Sequence, residues 1–338
     1  FWAVFALVTG SQIGSGIFML PTTLAPYGLY AFAGWAISGI GAVALALVFA
    51  KLCQALPQTG GPHVYVQKAF GTTAAFFVGW TYWIISWVST TAVIIAVIGN
   101  LMPLCGQQST FFFLVLQLAM LAGTTAINWY GVTTAGKTEF FLTVLKVIPL
   151  IIIPLIGLWY FDTNNFVIDA TITHLSSSAM LSRVTLLTLW GFVGLECATA
   201  PAGSIENPSV TIPRAIVAGT ASVAVLYVIN SLGIMGVFHG SQLMMSYSPY
   251  ADVVHILFGG NWHLIVSAIA AIICLGTLNA WMLTSGQIAL GLAQDNLMPA
   301  WFGKKNQYDA PVVGLLLSAL GIGFLLLCTA VCTCFMKS

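Results

Sequence analysis

The chain has 338 residues, of which 59% are hydrophobic and only 5% are charged, and its formal net charge at pH 7 is +1. Soluble domains carry about 25% charged residues, so the composition excludes a soluble protein and indicates an all-α polytopic membrane protein. Long unbroken apolar runs exclude a β-barrel, whose strands alternate polar and apolar residues. The net charge of +1 says nothing about nucleic acid. For a protein of this class we expect no nucleic acid partner.

Apolar runs of about 20 residues divide the chain into about nine predicted membrane spans. They lie at residues 2–24, 31–56, 72–100, 110–129, 138–160, 180–202, 212–237, 262–293 and 311–332. The polar segments between these runs are short. Residues 1–338 are therefore predicted to form a single transmembrane domain.

The basic residues predict how the chain is oriented in the membrane. With a cytoplasmic N terminus, more Lys and Arg residues fall inside than outside, as the positive-inside rule requires. The inside set is Lys51, Lys68, Lys137, Arg214, Lys304 and Lys305, and the outside set is Arg183 and Lys337. We therefore expect the N terminus in the cytoplasm.

The first span carries a break signal near its middle, in the segment Gly10-Ser11-Gln12-Ile13-Gly14-Ser15-Gly16-Ile17-Phe18. A helix in lipid must satisfy its own backbone N–H and C=O groups. Residues that weaken it are tolerated only where the freed groups face protein, water or a ligand. The N–H groups and the helix dipole at such a break favour an anion such as a carboxylate. Close helix packing through small residues explains this segment equally well on its own.

The sixth span repeats the signal, because Gly191 and Gly194 lie near its middle and Glu196 follows them. Five spans separate the two signals, so they occupy matching positions if the protein is built from two five-helix halves. An odd number of helices in each half would make the halves inverted. Paired broken helices in matching positions are typical of the substrate site of a secondary transporter.

Several motifs carry a resemblance to a known family. They are Gly14–Phe18 with Pro21, Pro57–Pro62, Tyr82-Trp83, Trp190–Glu196, Glu206–Pro208, Ile212–Ala215 and Trp281–Gln287. By these motifs the chain resembles the amino acid–polyamine–organocation (APC) superfamily, and within it the basic amino acid/polyamine antiporters. The resemblance implies a LeuT-type inverted-repeat fold with broken helices 1 and 6, a first repeat at about 1–160 and an incomplete second repeat at about 180–338. Because members of this family have more spans, we expect the chain to be truncated after about nine spans.

The same resemblance implies roles for individual residues. The substrate-binding residues would be Ile13, Gly14, Ser15, Gly16, Ser86, Thr90, Trp190, Val193, Gly194 and Trp281, and the gating residues Tyr82, Trp190, Glu196 and Trp281. The backbone at Gly14–Gly16 would hold a substrate carboxylate. Backbone carbonyls near Trp190, Val193 and Gly194 would take its α-ammonium group. An indole face attracts a cation, which suits a tryptophan that stacks on the substrate side chain. For Trp190 and Trp281 alike, the alternative is that the ring simply fills space in the protein interior.

Two residues depart from the arginine/agmatine antiporters. Thr90 stands where those proteins hold the guanidinium group with an asparagine, and a hydroxyl cannot reproduce the geometry of an amide. Lys146 lies inside the fifth span, where charges are costly and usually functional. In proton-coupled symporters of the superfamily, a lysine at this place occupies a site that sodium fills in other relatives. Lys146 and Glu196 are therefore candidates for proton coupling, and the alternative for Lys146 is snorkelling toward the interface.

The predicted function is secondary active transport by alternating access, as an amino acid/amine antiporter of the arginine/agmatine type. The alternatives are a proton-coupled amino acid symporter that uses Lys146 and an inactive truncated permease. The resemblance further implies a multi-pass protein of the bacterial inner membrane and a homodimer. Whether the substrate side chain is cationic or neutral stays open.

We expect no enzymatic activity, cofactor or metal site. Ser15 and Ser285 could be nucleophiles, but no intramembrane histidine lies near either in the sequence. The seven cysteines show no CxxC spacing, and no histidine lies near the C-terminal cysteine cluster. His63, His174, His239 and His255 lie in polar segments and are expected to be solvated.

Overall fold

The computed structural model describes residues 1–14, 16–105, 108–246 and 249–335, and this part of the chain is almost entirely helical. Within these residues, eight helices are long and apolar enough to cross a membrane, or nine if the bent pair at the N-terminal end counts as one span. These helices lie where the nine apolar runs predict them.

The helices are numbered in chain order. They are α1 (Trp2–Gln12), α2 (Gly16–Leu24), α3 (Tyr30–Ala55), α4 (Pro62–Phe70), α5 (Thr72–Cys105), α6 (Thr110–Trp129), α7 (Val132–Gly157), α8 (Ser177–Leu189), α9 (Pro208–Met235), α10 (Gly240–Leu243), α11 (Pro249–Phe258), α12 (Trp262–Gln294) and α13 (Val312–Phe335). Short 3-10 turns follow α8 at Trp190–Phe192, Cys197–Thr199 and Ala202–Ser204. Further 3-10 turns occupy the connections after α7 and α12.

Two helical paths change course inside the membrane domain. The helix α1 ends at Gln12 and α2 begins at Gly16, with an angle of 41° between them. The helix α8 ends at Leu189, and after one 3-10 turn Val193 is extended, with a ψ of 130°. Gly194 then takes a φ of +106°, which residues with a side chain rarely adopt. Below, these two places are called the α1/α2 break and the α8 break.

The helix α12 forms the centre of the domain. Of the residues in its apolar 18-residue stretch, 67% are buried, a larger share than in any other candidate span among the described residues. It packs against α5, α7, α13 and α1. Because it meets several neighbours, some of its buried polar side chains bond to other helices: Thr277 bonds the Gly10 carbonyl of α1, and Asn279 bonds Glu139 of α7. Thr277 and Asn279 are the two that matter for the site.

An aromatic cluster supports the α8 break from behind. The ring centroids of Trp35 and Tyr227 lie 4.9 Å apart, and those of Phe192 and Tyr227 lie 5.6 Å apart. A Cβ atom added at Gly191 would lie 2.7 Å from the Tyr227 ring, so only glycine lets the turn approach α9 this closely. The Tyr227 hydroxyl donates a hydrogen bond to the Gln12 carbonyl at 2.8 Å, which links this cluster to the end of α1.

The short helix α4 packs against α5 and approaches the C-terminal end of α12. His63 on α4 is fully buried, and its Nε2 atom lies 3.1 Å from Asp295 Oδ2 at the end of α12. The sequence-based expectation that His63 is solvated was therefore wrong. A polar segment can still be covered when a short helix folds back onto the protein, and hydropathy does not reveal that.

Candidate functional site

The α1/α2 break is held by side chains from two other helices. Because α1 ends here, the carbonyls of its last turn lack partners within the helix. Lys146 Nζ on α7 lies 2.7 Å from the Gly10 carbonyl oxygen and 3.2 Å from that of Ile13. Thr277 Oγ1 on α12 lies 2.8 Å from the Ile13 carbonyl oxygen and 3.2 Å from that of Gly10. The freed carbonyls of the break are thus satisfied by protein groups.

The residues of the break itself are tightly packed on the α12 side. Ile13 is buried, and a Cβ atom at Gly14 would lie 3.1 Å from Thr277 Cγ2. On the other side, a Cβ atom at Gly16 would lie 3.6 Å from the Trp190 ring, which is an ordinary contact. Ser15 lies outside the described residues. Gly16 therefore borders the α8 break directly.

The two breaks contact each other through Ser11 and Gly194. The Ser11 hydroxyl donates a hydrogen bond to the Gly194 carbonyl at 2.8 Å. Trp190 and Val193, on the same segment, are 74% and 53% exposed although they lie within a candidate membrane span. The exposed indole of Trp190 therefore lies beside a glycine of the opposite break.

Three of the four predicted gating residues lie together on one side of the breaks. The Tyr82 hydroxyl donates a hydrogen bond to Glu196 Oε1 at 2.9 Å. The rings of Tyr82 and Trp281 meet edge to face, with centroids 6.4 Å apart. Trp281 is buried, whereas Trp190, the fourth residue, lies next to Gly16. The two tryptophans thus occupy different environments.

Ser86 and Thr90 are buried on α5, and their hydroxyl groups donate within their own helix. Ser86 bonds the Trp83 carbonyl at 2.7 Å, and Thr90 bonds the Ser86 carbonyl at 2.6 Å. Each hydroxyl has one hydrogen, so both can only accept from a ligand while these bonds stand. Their contact with substrate stays a prediction.

Comparison with known proteins identifies the family. The family model described as amino acid permease matches residues 1–336. The chain belongs to the amino acid permease family. This permease is 31% identical to the cadaverine/lysine antiporter of Escherichia coli (strain K12), over 94% of the chain and 72% of that protein. It is 31% identical to the putative arginine/ornithine antiporter of Bacillus subtilis (strain 168), with coverages of 94% and 74%. It is 29% identical to the putrescine transporter PotE of Haemophilus influenzae, with coverages of 90% and 71%.

Solved structures similar to the permease confirm the predicted LeuT-type fold. A Na⁺-coupled sialic acid symporter matches with a TM-score of 0.66 and 13% identity, over 98% of this chain and 72% of that one. MhsT in complex with L-phenylalanine matches with a TM-score of 0.63 and 14% identity, over 97% and 79%. The predicted resemblance to the basic amino acid/polyamine antiporters is also confirmed.

Lys146 of the permease is completely buried and faces the α1/α2 break, so it does not snorkel to the interface. Sequence reasoning missed its partner. Glu139, on the same helix, is also completely buried, with Oε1 3.6 Å from Lys146 Nζ. The predicted fifth span began at residue 138, which placed this carboxylate at a span end where charges are ordinary. Since α7 begins at Val132, Glu139 instead lies two turns inside the helix.

The two proton-coupling candidates of the permease have separate partners. Lys146 bonds the α1 carbonyls and lies near Glu139, whereas Glu196 accepts from Tyr82. The site can therefore combine the helix start at Gly16, an exposed indole and a hydrogen-bonded carboxylate. Within the described ranges, no group of three or more His, Cys, Asp or Glu side chains is arranged to hold a metal ion.

Proposed function

We propose that this permease is an amino acid/amine antiporter that binds its substrate between the α1/α2 break and the α8 break. The observation that carries the proposal is the exposed Trp190 indole beside Gly16, where the two breaks approach each other. The antiporters and the putrescine transporter that it resembles are named for basic amino acids and their amines. An amine such as cadaverine lacks the carboxylate of the matching amino acid, and both carry a cationic end.

Each part of the site suits one part of such a substrate. The first-turn N–H groups of α2 have no partner within the helix, and together with the helix dipole they attract a carboxylate. The cationic side chain would stack on Trp190, an interaction of about 0.5–2 kcal/mol that grows as water is excluded. An amine product lacks the carboxylate, so it would bind by the cation-dependent contacts alone. Exchange of one for the other then requires no separate ion.

Alternating access would open and close the site by breaking contacts that the structure shows. The contact between Tyr82 and Glu196, with Trp281 packed against Tyr82, covers one side of the breaks. We propose that this contact separates when the substrate enters or leaves on that side. A carrier that reorients only when loaded gives exchange rather than net uptake.

Counterflow in proteoliposomes tests the proposal. Vesicles would be loaded with unlabelled lysine, ornithine, arginine, cadaverine, putrescine, agmatine or leucine, and the uptake of labelled lysine and arginine measured without a pH gradient. We expect uptake only into vesicles that contain a basic amino acid or its amine. Trp190→Ala should weaken it, whereas Trp159→Ala, at an equally exposed tryptophan beyond α7, should not. Absence of uptake under every condition would instead support the inactive permease.

A second function, proton-coupled symport, is favoured by the buried Lys146 at the α1/α2 break. Under that function, empty vesicles with an acidic exterior would accumulate amino acid. Uptake that needs an internal substrate, and is indifferent to the pH gradient, would exclude obligate symport.

The arginine/agmatine pair is the finer proposal about the substrate, and Thr90 tests it. Thr90→Asn supplies an amide on the α5 face where a guanidinium group is expected, so arginine should bind more tightly while ornithine changes little. Ser89→Asn, at an exposed position on the same helix, is the matched control. No change for any substrate would count against placing Thr90 in the pocket.

The remaining proposals concern the orientation of the protein in the membrane and its oligomeric state. The permease is a multi-pass membrane protein. A cytoplasmic N terminus is supported by the distribution of Lys and Arg, and can be tested by accessibility of a tag in inverted vesicles. Homodimerisation rests on the family resemblance alone and can be tested by the mass of the purified protein in detergent.

A further inference from the structure

Two opposite charges lie on one face of α7, completely buried. Glu139 and Lys146 are seven residues apart, which places them two turns apart on the same side of the helix. Lys146 Nζ lies 3.6 Å from Glu139 Oε1, and neither side chain is exposed at all. An unpaired charge in such a place is strongly disfavoured, so the two groups depend on each other.

The Glu139 carboxylate is also fixed from its far side. Asn279 Nδ2 on α12 donates to Glu139 Oε2 at 2.9 Å and also lies 3.1 Å from the Ala135 carbonyl oxygen. Asn128 Nδ2 on α6 donates to Asn279 Oδ1 at 3.1 Å, which sets the orientation of the Asn279 amide. The carboxylate is thus held by groups that three helices position.

The helix α1 leaves room for this carboxylate at Gly10. A Cβ atom on Gly10 would lie 1.9 Å from Glu139 Oε1, a distance that no side chain allows. The Gly10 carbonyl oxygen accepts from Lys146 at the same time. One glycine of the first span therefore meets both members of the pair, and its absence of a side chain is required by Glu139 rather than by the substrate.

Among the residues that the structure describes, Cys274 on α12 is the further titratable side chain placed to act on Lys146, and Lys146 is the one placed to act on Glu139. The helix α1 presents backbone carbonyls, and α6 presents the Asn128 amide by way of Asn279. The charge of each partner is therefore balanced mainly by the other.

We propose that Glu139 is the fixed counter-ion of Lys146, and that the pair acts as an electrically neutral clamp on the α1/α2 break. Glu139 is a positioning residue: it holds the lysine so that the amino group meets the Gly10 and Ile13 carbonyls. Because the pair is already neutral, Lys146 needs no proton exchange with either side of the membrane during transport. The inference rests on the proposed function and deepens it, since it makes exchange rather than proton symport the mode of transport.

Thermal unfolding of the purified permease at several pH values tests the pairing, with each variant compared with wild type at the same pH. Glu139→Gln leaves a lysine alone in the bundle, and protonating it would bury an unpaired cation. The melting temperature should therefore fall as the pH is lowered from about 8 to about 5.5. Lys146→Met leaves a carboxylate alone, so its melting temperature should fall as the pH is raised. The double variant Glu139→Gln/Lys146→Met removes both charges and should melt above either single variant, without a pH-dependent difference from wild type.

Lys137→Met, at an exposed lysine on the same helix, is the control and should follow wild type at every pH. The pairing would be overturned if the melting temperatures of the two single variants changed with pH in the same direction. A double variant that melts below both single variants would overturn it as well. A role in folding alone would not produce opposite slopes.

Counterflow completes the test. Relative to wild type, Glu139→Gln should exchange lysine at a rate that changes by more than about fivefold between pH 6 and pH 8, because the charge of its lysine now varies. The double variant should lose that dependence. If the wild type exchanges no substrate, the proposed function fails while the unfolding slopes still decide the pairing. If the wild type exchanges but a pH gradient alone drives its uptake, the neutral clamp fails.

Discussion

Replacing Gly194 with alanine perturbs the contact between the two breaks. The Gly194 φ of +106° lies in a region that L-residues with a side chain rarely adopt. The new Cβ atom would lie 3.0 Å from Ser11 Oγ and 3.1 Å from Ser11 Cβ, closer than ordinary contacts. The segment would have to shift away from α1, and the hydrogen bond from Ser11 to the Gly194 carbonyl would lengthen.

The expected cost follows from these two distortions. A residue held in a sparsely populated backbone region costs about 1–3 kcal/mol, and forcing an extra carbon into a packed site typically costs about 1–3 kcal/mol. We therefore expect Gly194→Ala to lower the free energy of unfolding by about 3 kcal/mol. Gly123→Ala is the matched control: it lies on the exposed face of α6 with no atom within 4 Å of a new Cβ. In a helix interior this change should be neutral or stabilising by about 0.5–1 kcal/mol.

The assay is thermal unfolding in detergent followed by intrinsic fluorescence, with counterflow of labelled lysine measured on the same preparations. Gly194→Ala should melt lower than wild type and exchange more slowly, while Gly123→Ala should melt at or slightly above wild type and exchange at the wild-type rate. Unchanged melting and unchanged exchange in Gly194→Ala would show that the α8 break does not have the described conformation. Lower melting with full exchange would separate the contact from transport.

Three further predictions concern the gate, the indole and the buried histidine. Trp190→Ala removes a cation–π contact of about 0.5–2 kcal/mol. The half-saturating concentration of lysine should therefore rise by up to about 30-fold, and that of leucine much less. An equal rise for both amino acids would refute cation stacking. Tyr82→Phe removes the hydroxyl that donates to Glu196. Loss of this hydrogen bond, worth about 1.4 kcal/mol, should slow exchange about tenfold with little change in substrate binding. Exchange at the wild-type rate would show that this contact is not a gate. Burial lowers the pKa of His63 from its usual 6.5, against the opposing effect of Asp295. The folded protein then binds fewer protons than the unfolded chain, so stability present above about pH 6.5 should be lost as the pH falls, and His63→Gln should remove that loss in thermal unfolding.

The spans could be predicted from sequence because lipid imposes one simple rule, a long apolar run for each crossing. The helix ends differ from the predicted span ends by several residues, and one of these differences matters for the chemistry of the site. The α7 helix begins at Val132 rather than 138, because Thr133, Thr134 and Lys137 are polar yet helical. Hydropathy starts a span where polar residues end, so it could not place Glu139 inside the bundle.

The polar side chains that pack around the α1/α2 break could not be predicted from the sequence for a different reason. Thr277 and Asn279 are isolated polar residues within a long apolar run, and nothing in the local pattern separates them from Thr284 or Ser285. What distinguishes them is which face of α12 meets α1 and α7, a property of tertiary packing. Gly10 belongs to the predicted break signal, yet the atom nearest to a Cβ added at this position is Glu139 Oε1, which the local sequence does not indicate.

The bonds from Ser11 to Gly194 and from Tyr227 to Gln12 tie the end of α1 to the α8 break and to α9. A displacement of α1 would therefore be transmitted to the α8 segment that carries Trp190. The contact between α1 and this segment would stay constant while the position of both relative to α5 changes. A substrate would then meet the Trp190 indole at the same distance from α1 whichever side of the membrane it enters from.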